Sequence, residues 1–390
     1  MAGPLDASGA ARPFADLPAG LVEEVLAGAT QVGAHLLGDF TRIKQEKAGL
    51  RKKLDDARLV GHESDLPSPH IPTTCATDGS YAIERLLAAD LAAAAAVAVE
   101  GLTPPSETRH WDAPHHRTFV RAEVHHDGTQ TVLRAVMLGH ELELAIAAPH
   151  DLVLLDMTLA LPVIYFNQAF AKASEITREL GTVACVSEFQ QHGLDFITHY
   201  RDVLKCPRSD KAYAGLPKYA TRREIGEKVG WPSHHDDRSL LTMLLRPGEF
   251  TQPQPMLDSE FHLHTPGASG AASNALKAIA DEIVAALKTI RVVYYRPHGF
   301  IPALRVEVGS AVADNPHRLA MVLRGLKEQS VVASMLEPYP LYMADRMAKS
   351  LAAAIPAFRQ VATQRISAEY DGDIGEVFFA MHGYRSEGGR

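Results

Sequence analysis

Cys75-Ala76-Thr77-Asp78-Gly79-Ser80 is the stretch on which the fold turns. An aspartate closes a short extended segment, Ile71 to Thr77, and is followed at once by glycine and a small hydroxyl residue. Glycine lacks a Cβ and permits a sharp exit from a strand. The pattern predicts a carboxylate held at a strand end and facing open space. Mg²⁺ and Mn²⁺ prefer such oxygen ligands on rigid supports. Asp-Gly is also a common turn dipeptide, and these letters alone leave that reading open.

A second strand-end aspartate lies downstream. Asp151-Leu152-Val153-Leu154-Leu155-Asp156 is an almost purely apolar run, the mark of a strand buried on both faces. Before it, Thr129–Ala148 has helical spacing through Val132, Val136, Met137, Leu142 and Ile146, and carries Glu141 and Glu143. Two strand-end aspartates and a helical glutamate that converge would suit two-metal phosphodiester chemistry. Without a cation such a cluster is costly, because like charges raise one another's pKa.

The intervening and outer segments are less decisive. Tyr81–Leu87 reads as a short amphipathic turn. Asp90–Val99 is alanine-rich, with helical composition but an alternating end that stops at Gly101 like a strand. Thr118–His126 alternates and ends at Asp127-Gly128, a strand-end signal. Residues 1–17 read as loose, and Leu21 to about Leu54 as a long amphipathic helix. Its second half bears Arg42, Lys44, Lys47, Arg51, Lys52 and Lys53, either a solvated face or a DNA-contacting one. Residues 61–72 read as a linker and Gly181–Ser187 as an apolar strand. Ala272–Leu287 is an amphipathic helix feeding a strand at Val292–Tyr295.

From Glu188 to Asp236 the chain is polar, with Lys205, Arg208, Lys211, Lys218, Arg222, Arg223 and Lys228 interleaved with Tyr200, Tyr213, Tyr219 and Trp231. That mixture suits a single-stranded DNA channel, where bases stack on rings and phosphates meet cations. A plain surface insertion fits equally. His234-His235 beside Asp236-Asp237 lacks a third spaced ligand for a metal site.

Composition sets the outer limits. The 390 residues suffice for one large domain with additions or for two, and 46% hydrophobic content is ordinary for a globular chain. Three widely spaced cysteines, Cys75, Cys185 and Cys206, make no disulfide framework, so a reducing, cytoplasmic setting is expected. No secretion signal opens the chain, and the apolar run Leu86–Val99 is too short to span a bilayer, so no membrane association is expected. A formal charge of −8 does not advertise a nucleic-acid binder but leaves room for a local basic patch.

The order Asp-Gly-Ser, glutamate, Leu-Leu-Asp resembles the NurA family of DNA end-processing nucleases. Leu154-Leu155-Asp156-Met157-Thr158-Leu159 is similar to the family's second motif, with Met157 in place of its glycine. Asp237–Leu241 and Leu244–Glu249 resemble the mid-chain segment. Val292–Arg296 with Arg305-Val306-Glu307 resembles the late strand pair, and Tyr339–Arg346 the C-terminal segment. Where the family has a metal-binding histidine, this chain has Asp345, itself a competent oxygen ligand. Capping of the helix that begins there is the other reading of Asp345.

The resemblance covers roughly residues 70 to 365 and implies a mixed α/β, RNase H-like core with flanking helices. The 1–62 region is then an N-terminal helical extension, 188–236 a basic and aromatic insertion, and 366–390 a tail with an apolar Val377-Phe378-Phe379 segment. It further implies Mn²⁺ or Mg²⁺ bound by Asp78, Asp156 and Asp345, with Glu141 or Glu143 completing the catalytic set. The implied partners are DNA, a HerA-type hexameric ATPase and a second copy of the chain in a homodimer. The chain has no phosphate-loop motif of its own, so any ATP-driven step would come from another chain. An inactive, DNA-end-binding scaffold subunit is the alternative function, favoured by the departures at Met157 and Asp345.

Overall fold

The computed structural model describes residues 17–219, 222–232, 235–256, 260–264 and 271–383. The chain divides into two units, residues 1–58 and 59–390. Helix α1 (Ala19–Asp56) belongs to the first. It spans the helix expected over Leu21–Leu54, and its stretch up to Phe40 exposes Leu21, Val25, Leu26, Val32, Leu36, Leu37 and Phe40.

The second unit opens with β1 (Val60–His62), β2 (Thr74–Arg85), β3 (Asp90–Glu100) and β4 (His115–Glu123). Helix α2 (Thr129–Ala147) leads to β5 (Leu152–Leu155), and α3 (Leu161–Leu180) with α4 (Ala184–Lys205) leads to β6 (Ala212–Gly215). Then come α5 (Glu224–Val229), α6 (Asp237–Leu244), β7 (Glu249–Thr251), β8 (Gln254–Pro255) and α7 (Ala271–Leu287). The chain closes with β9 (Arg291–Tyr295), β10 (Leu304–Val308), α8 (Ser310–Ala313), α9 (Pro316–Gln329), α10 (Tyr339–Glu369) and α11 (Ile374–Ala380). Among the described residues no helix is long and apolar enough to cross a membrane.

One mixed sheet carries all the strands, in the order β1-β7-β9-β10-β6-β5-β2-β3-β4, with β8 on β9. Strands β2, β3 and β4 form an antiparallel meander, and α2 then crosses over to β5, which runs parallel to β2. Strand β6 adds in parallel on the far side of β5. This is the mixed, RNase H-like core expected from the sequence. Helices cover it, and Leu152–Leu155 is buried throughout, as a parallel strand covered on both faces must be.

Several local expectations are corrected. Asp78 does not end a strand, because β2 runs on through Tyr81–Arg85, paired with β3 at every step. What ends at Thr77 is the parallel partner: β5 matches only Thr74–Thr77, and burial along β2 loosens from Asp78 onward. Asp90–Val99 is a strand despite its alanines, whose small side chains let both faces of β3 be buried. Gly181–Ser187 is not a strand, since Ala184 onward is the first turn of α4. Its buried Cys185, Phe189, Phe196, Tyr200 and Val203 follow helical spacing.

The 188–236 stretch therefore holds most of α4 and the core strand β6. Tyr200, Tyr213 and Trp231 are buried, and only Tyr219 among its tyrosines and tryptophan stands in solvent. Within the expected N-terminal extension, Val60–His62 is a sheet strand on β7. The expected tail is helical through Glu369 and again in α11, and Leu86 forms a β-bridge with Gly383.

Candidate active site

Asp78 lies on β2 where the sheet loses its parallel neighbour, and Asp156 follows the last residue of that neighbour, β5. A one-residue step past the end of a buried strand leaves Asp156 only partly exposed, with 8% of its side chain accessible. Asp345 comes from the second turn of α10, whose N-cap is Pro338, so Asp345 does not cap the helix. One carboxylate oxygen from each of Asp78, Asp156 and Asp345 lies within 4.8 Å of the other two. Oxygens on opposite sides of one Mg²⁺ are about 4 Å apart, so the group fits a single hard cation.

Glu141 approaches β2 beside Asp78 from α2. It is 2% exposed, and a Cβ on Gly79 would stand 2.4 Å from Glu141 Oε1 and 2.7 Å from Met137 Cγ. Gly79 is thus required for close approach of a carboxylate to the strand and not for a turn. Glu143, two residues on, points elsewhere, as about 200° of helix rotation demands. Its Oε1 accepts from Arg117 Nε on β4 at 2.9 Å. The structure groups Asp78, Asp156 and Asp345, sets Glu141 near enough to feel the charges of Asp78 and Asp156, and leaves Glu143 out.

Two residues join them that sequence reasoning did not assign to the site. Lys218, three residues past β6, places Nζ 2.7 Å from Asp156 Oδ2, 3.1 Å from Asp345 Oδ1 and 3.2 Å from Glu337 Oε2. Lys349, one turn beyond Asp345, stands 2.8 Å from the same Asp345 Oδ1. The spacing Asp345–Lys349 was legible as an i,i+4 pair; the Lys218 and Glu337 contacts depend on the tertiary fold alone.

Electrostatics divides the cluster. Burial, then the Asp156 charge, pushes Asp78 up to about 8, against the Gly79 N–H that its Oδ1 accepts at 2.8 Å. Burial, then Asp78 and Asp156, holds Glu141 well above the carboxylate range. Burial also raises Asp156 and Glu337, each opposed by Lys218. Burial raises Asp345 too, but Lys349 and Lys218 outweigh it and the group falls below its ordinary value. Lys218 loses hydration by burial yet is held charged by Asp156, Glu337 and Asp345. Buried acids that favour protonation next to ionised ones are what a bound cation relieves.

The other candidates fare differently. His234 lies outside the described residues, so the pair His234-His235 is not described as a site. His126, Glu175 and Glu179 also cluster. There His126 Nδ1 accepts the Gly128 N–H at 2.9 Å, so neutral His126 carries its proton on Nε2, towards Glu179 at 3.2 Å. That tautomer offers a metal no lone pair on Nε2.

No family model and no curated protein matches the chain. Among solved structures, the fold is similar to that of the NurA nuclease from Sulfolobus solfataricus. The two share 11% identity over 89% of this chain and 98% of that one, with a TM-score of 0.58. A structure of NurA (13% identity, 88% of this chain and 99% of that chain, TM-score 0.48) is also similar. So is one of NurA with manganese (12% identity, 85% and 99%, TM-score 0.46).

Proposed function

We propose that the protein is a metal-dependent deoxyribonuclease, hydrolysing phosphodiester bonds with Mn²⁺ or Mg²⁺ held by Asp78, Glu141, Asp156 and Asp345. The observation that carries this is the convergence of three carboxylates from β2, the end of β5 and α10, with Glu141 of α2 buried near enough to feel the charges of Asp78 and Asp156. Glu141 adds to the fit, because it is 2% exposed and burial with the charges of Asp78 and Asp156 makes its ionised form costly without a cation. When bound, the ion would supply Lewis-acid activation of water and of the phosphoryl oxygen. The likeness to the NurA nuclease fold supports the same reaction class.

The chain's own residues have separate tasks in this reading. Asp78, within β2, and Asp156, one residue past the neighbouring interior strand β5, present oxygens from rigid supports. Glu141 closes the inner side and excludes water with Met137. Lys218 and Lys349 keep Asp345 ionised. Tyr219, 96% exposed beside Lys218, offers a stacking platform for a base.

Partner readings belong here too. The chain lacks a phosphate loop, so any ATP-driven step would come from another chain, and a HerA-type ATPase is the partner that the resemblance implies. The exposed apolar residues of α1, and Phe378 and Phe379 on α11, are candidate surfaces for that partner or for a homodimer. Three buried, unpaired cysteines agree with a cytoplasmic setting. The setting would be DNA repair or defence against foreign DNA. The scaffold alternative rested on Met157 and Asp345. Met157 is buried with its carbonyl against Gly215, and Asp345 stands in the cluster, so both departures are accommodated.

The test is degradation of end-labelled DNA by the purified protein with Mn²⁺, Mg²⁺ or EDTA. Metal-dependent cleavage is expected. DNA binding without cleavage under any divalent ion would move the protein to the scaffold class.

A further inference from the structure

We infer that Lys218 fills the place of a second cation, so that the centre takes one divalent ion per chain, seated between Asp78, Glu141, Asp156 and Asp345. This rests on the metal centre proposed above and specifies its stoichiometry.

A second ion in a two-metal site lies about 3.5–4 Å from the first and shares a bridging carboxylate with it. Asp156 is the central carboxylate here, and its Oδ2 is already 2.7 Å from Lys218 Nζ. Glu337 and Asp345, which would complete a second coordination shell, are 3.2 and 3.1 Å from the same ammonium. Three carboxylates thus surround Lys218 as they would an ion. An ion bonded to Asp156 Oδ2 at about 2.1 Å would have to expel the ammonium from all three.

The lysine is not free to leave. The Leu216 N–H donates to the Leu155 carbonyl at 2.9 Å, which keeps the chain past β6 alongside the Asp156 turn. Pro217 stiffens the next step. Arg238 then clasps the carbonyl of Lys218 itself, and its Nε donates to the Ala303 carbonyl at 3.0 Å. The backbone is held from two sides and the side chain from three. Lys218 offers a fixed positive charge with no Lewis acidity, so it neutralises carboxylates without adding a coordination site.

The experiment counts Mn²⁺ bound per full-length chain by electron paramagnetic resonance, scoring only ions lost when Asp156→Ala, which removes the carboxylate both positions share, is introduced. The parent is expected to bind one, and Lys218→Met two, because Asp156, Glu337 and Asp345 then open to a second ion. Two ions on the parent, or one on Lys218→Met, would overturn the inference. Two ions with DNA cleavage would remove it while leaving the nuclease reading intact; no ion at all would remove the metal centre and the nuclease reading together. Should Lys218→Met fail to fold, anomalous scattering from Mn²⁺-soaked crystals of the parent gives the same count. A single peak with Lys218 still on Glu337 upholds the inference, and two peaks overturn it.

Discussion

Glu307 accepts the backbone N–H of Leu159 at 2.8 Å, and through that bond strand β10 holds the turn that presents Asp156. The same carboxylate takes Thr158 Oγ1 at 2.6 Å and Arg305 Nε at 2.9 Å. Arg305, 2% exposed, reaches both oxygens of Glu224 at 2.6 and 2.8 Å and the hydroxyl of Tyr294 at 2.8 Å. Opposite Glu307 in the sheet is Gly215, where a Cβ would meet the Met157 carbonyl at 2.7 Å. The segments Val292–Arg296 and Arg305–Glu307 therefore support the turn that presents Asp156 without entering the carboxylate cluster.

Glu307→Ala should destabilise the protein by about 1–3 kcal/mol, because it leaves the Leu159 N–H and Arg305 Nε buried without their acceptor while Glu224 still holds the guanidinium. Glu307→Gln keeps an acceptor for Leu159 and should recover part of that loss. Urea unfolding of the two variants decides it. Equal stability of Glu307→Ala and the parent would show that the network carries no net weight.

Asp78→Ala should lower Mn²⁺-dependent cleavage about a thousandfold or more while leaving DNA binding within a few fold. In the proposed centre Asp78 would anchor the cation and need not touch DNA. Single-turnover cleavage and fluorescence anisotropy separate the two effects. A variant that cleaves as fast as the parent would dismiss this site.

What the sequence disclosed follows the physics of pattern. Helices α1, α2 and α7 and strand β5 show as unbroken periodicity or an unbroken apolar run, because one element fixes each pattern. Asp78 was found for a wrong local reason: glycine after it reads as a turn, whereas Gly79 makes room for Glu141 from a helix 62 residues away. The choice between Glu141 and Glu143 needed the position of β4, which draws Glu143 to Arg117. Segment 188–236 misled because α4 shows solvent a polar face, and its buried tyrosines look the same in sequence as exposed ones. Lys218 was visible only as one basic residue among the eight of this segment. Its place among three carboxylates is set by parallel pairing of β5 and β6, to which no local pattern refers.

Metal-free stability should fall as pH rises. Asp78, near 8 in the folded protein, titrates near the ordinary aspartate value of about 3.9 when unfolded. Between those values the folded state holds a proton that the unfolded chain has released, so its contribution is full at low pH and lost as pH passes 8. Glu141 shifts in the same direction. In EDTA, the melting temperature should drop from pH 6 to pH 8, and Asp78→Asn should stabilise the protein at pH 8 by on the order of 1 kcal/mol. Added Mn²⁺ should cancel the drop. A melting temperature in EDTA that is flat over this range would contradict the shift.

Tyr219 is the exposed ring nearest the cluster in sequence, one residue after Lys218. Tyr219→Ala should weaken single-stranded DNA by about 1–3 kcal/mol if one base stacks there, with little effect on folding. Anisotropy with an oligonucleotide in EDTA reads binding apart from cleavage. Unchanged affinity would mean that the strand takes another path.

Asp345→His tests whether this position ligates the metal or only organises the lysines. Asp345 gives Oδ1 to both Lys218 and Lys349, at 3.1 and 2.8 Å. A neutral histidine gives up both pairings but still offers a ring nitrogen to Mn²⁺. Lys218 would keep Asp156 and Glu337 as partners. Loss of such supporting contacts costs about 10–100-fold in metal affinity, whereas Asp345→Ala, which removes the ligand as well, should cost about a thousandfold in rate. Asp345→His should therefore cleave DNA at saturating Mn²⁺ measurably faster than Asp345→Ala, with the larger part of its defect removed by raising the metal concentration. If the two variants are equally slow at every Mn²⁺ concentration, Asp345 acts through its ion pairs and the metal is held by Asp78, Glu141 and Asp156 without it.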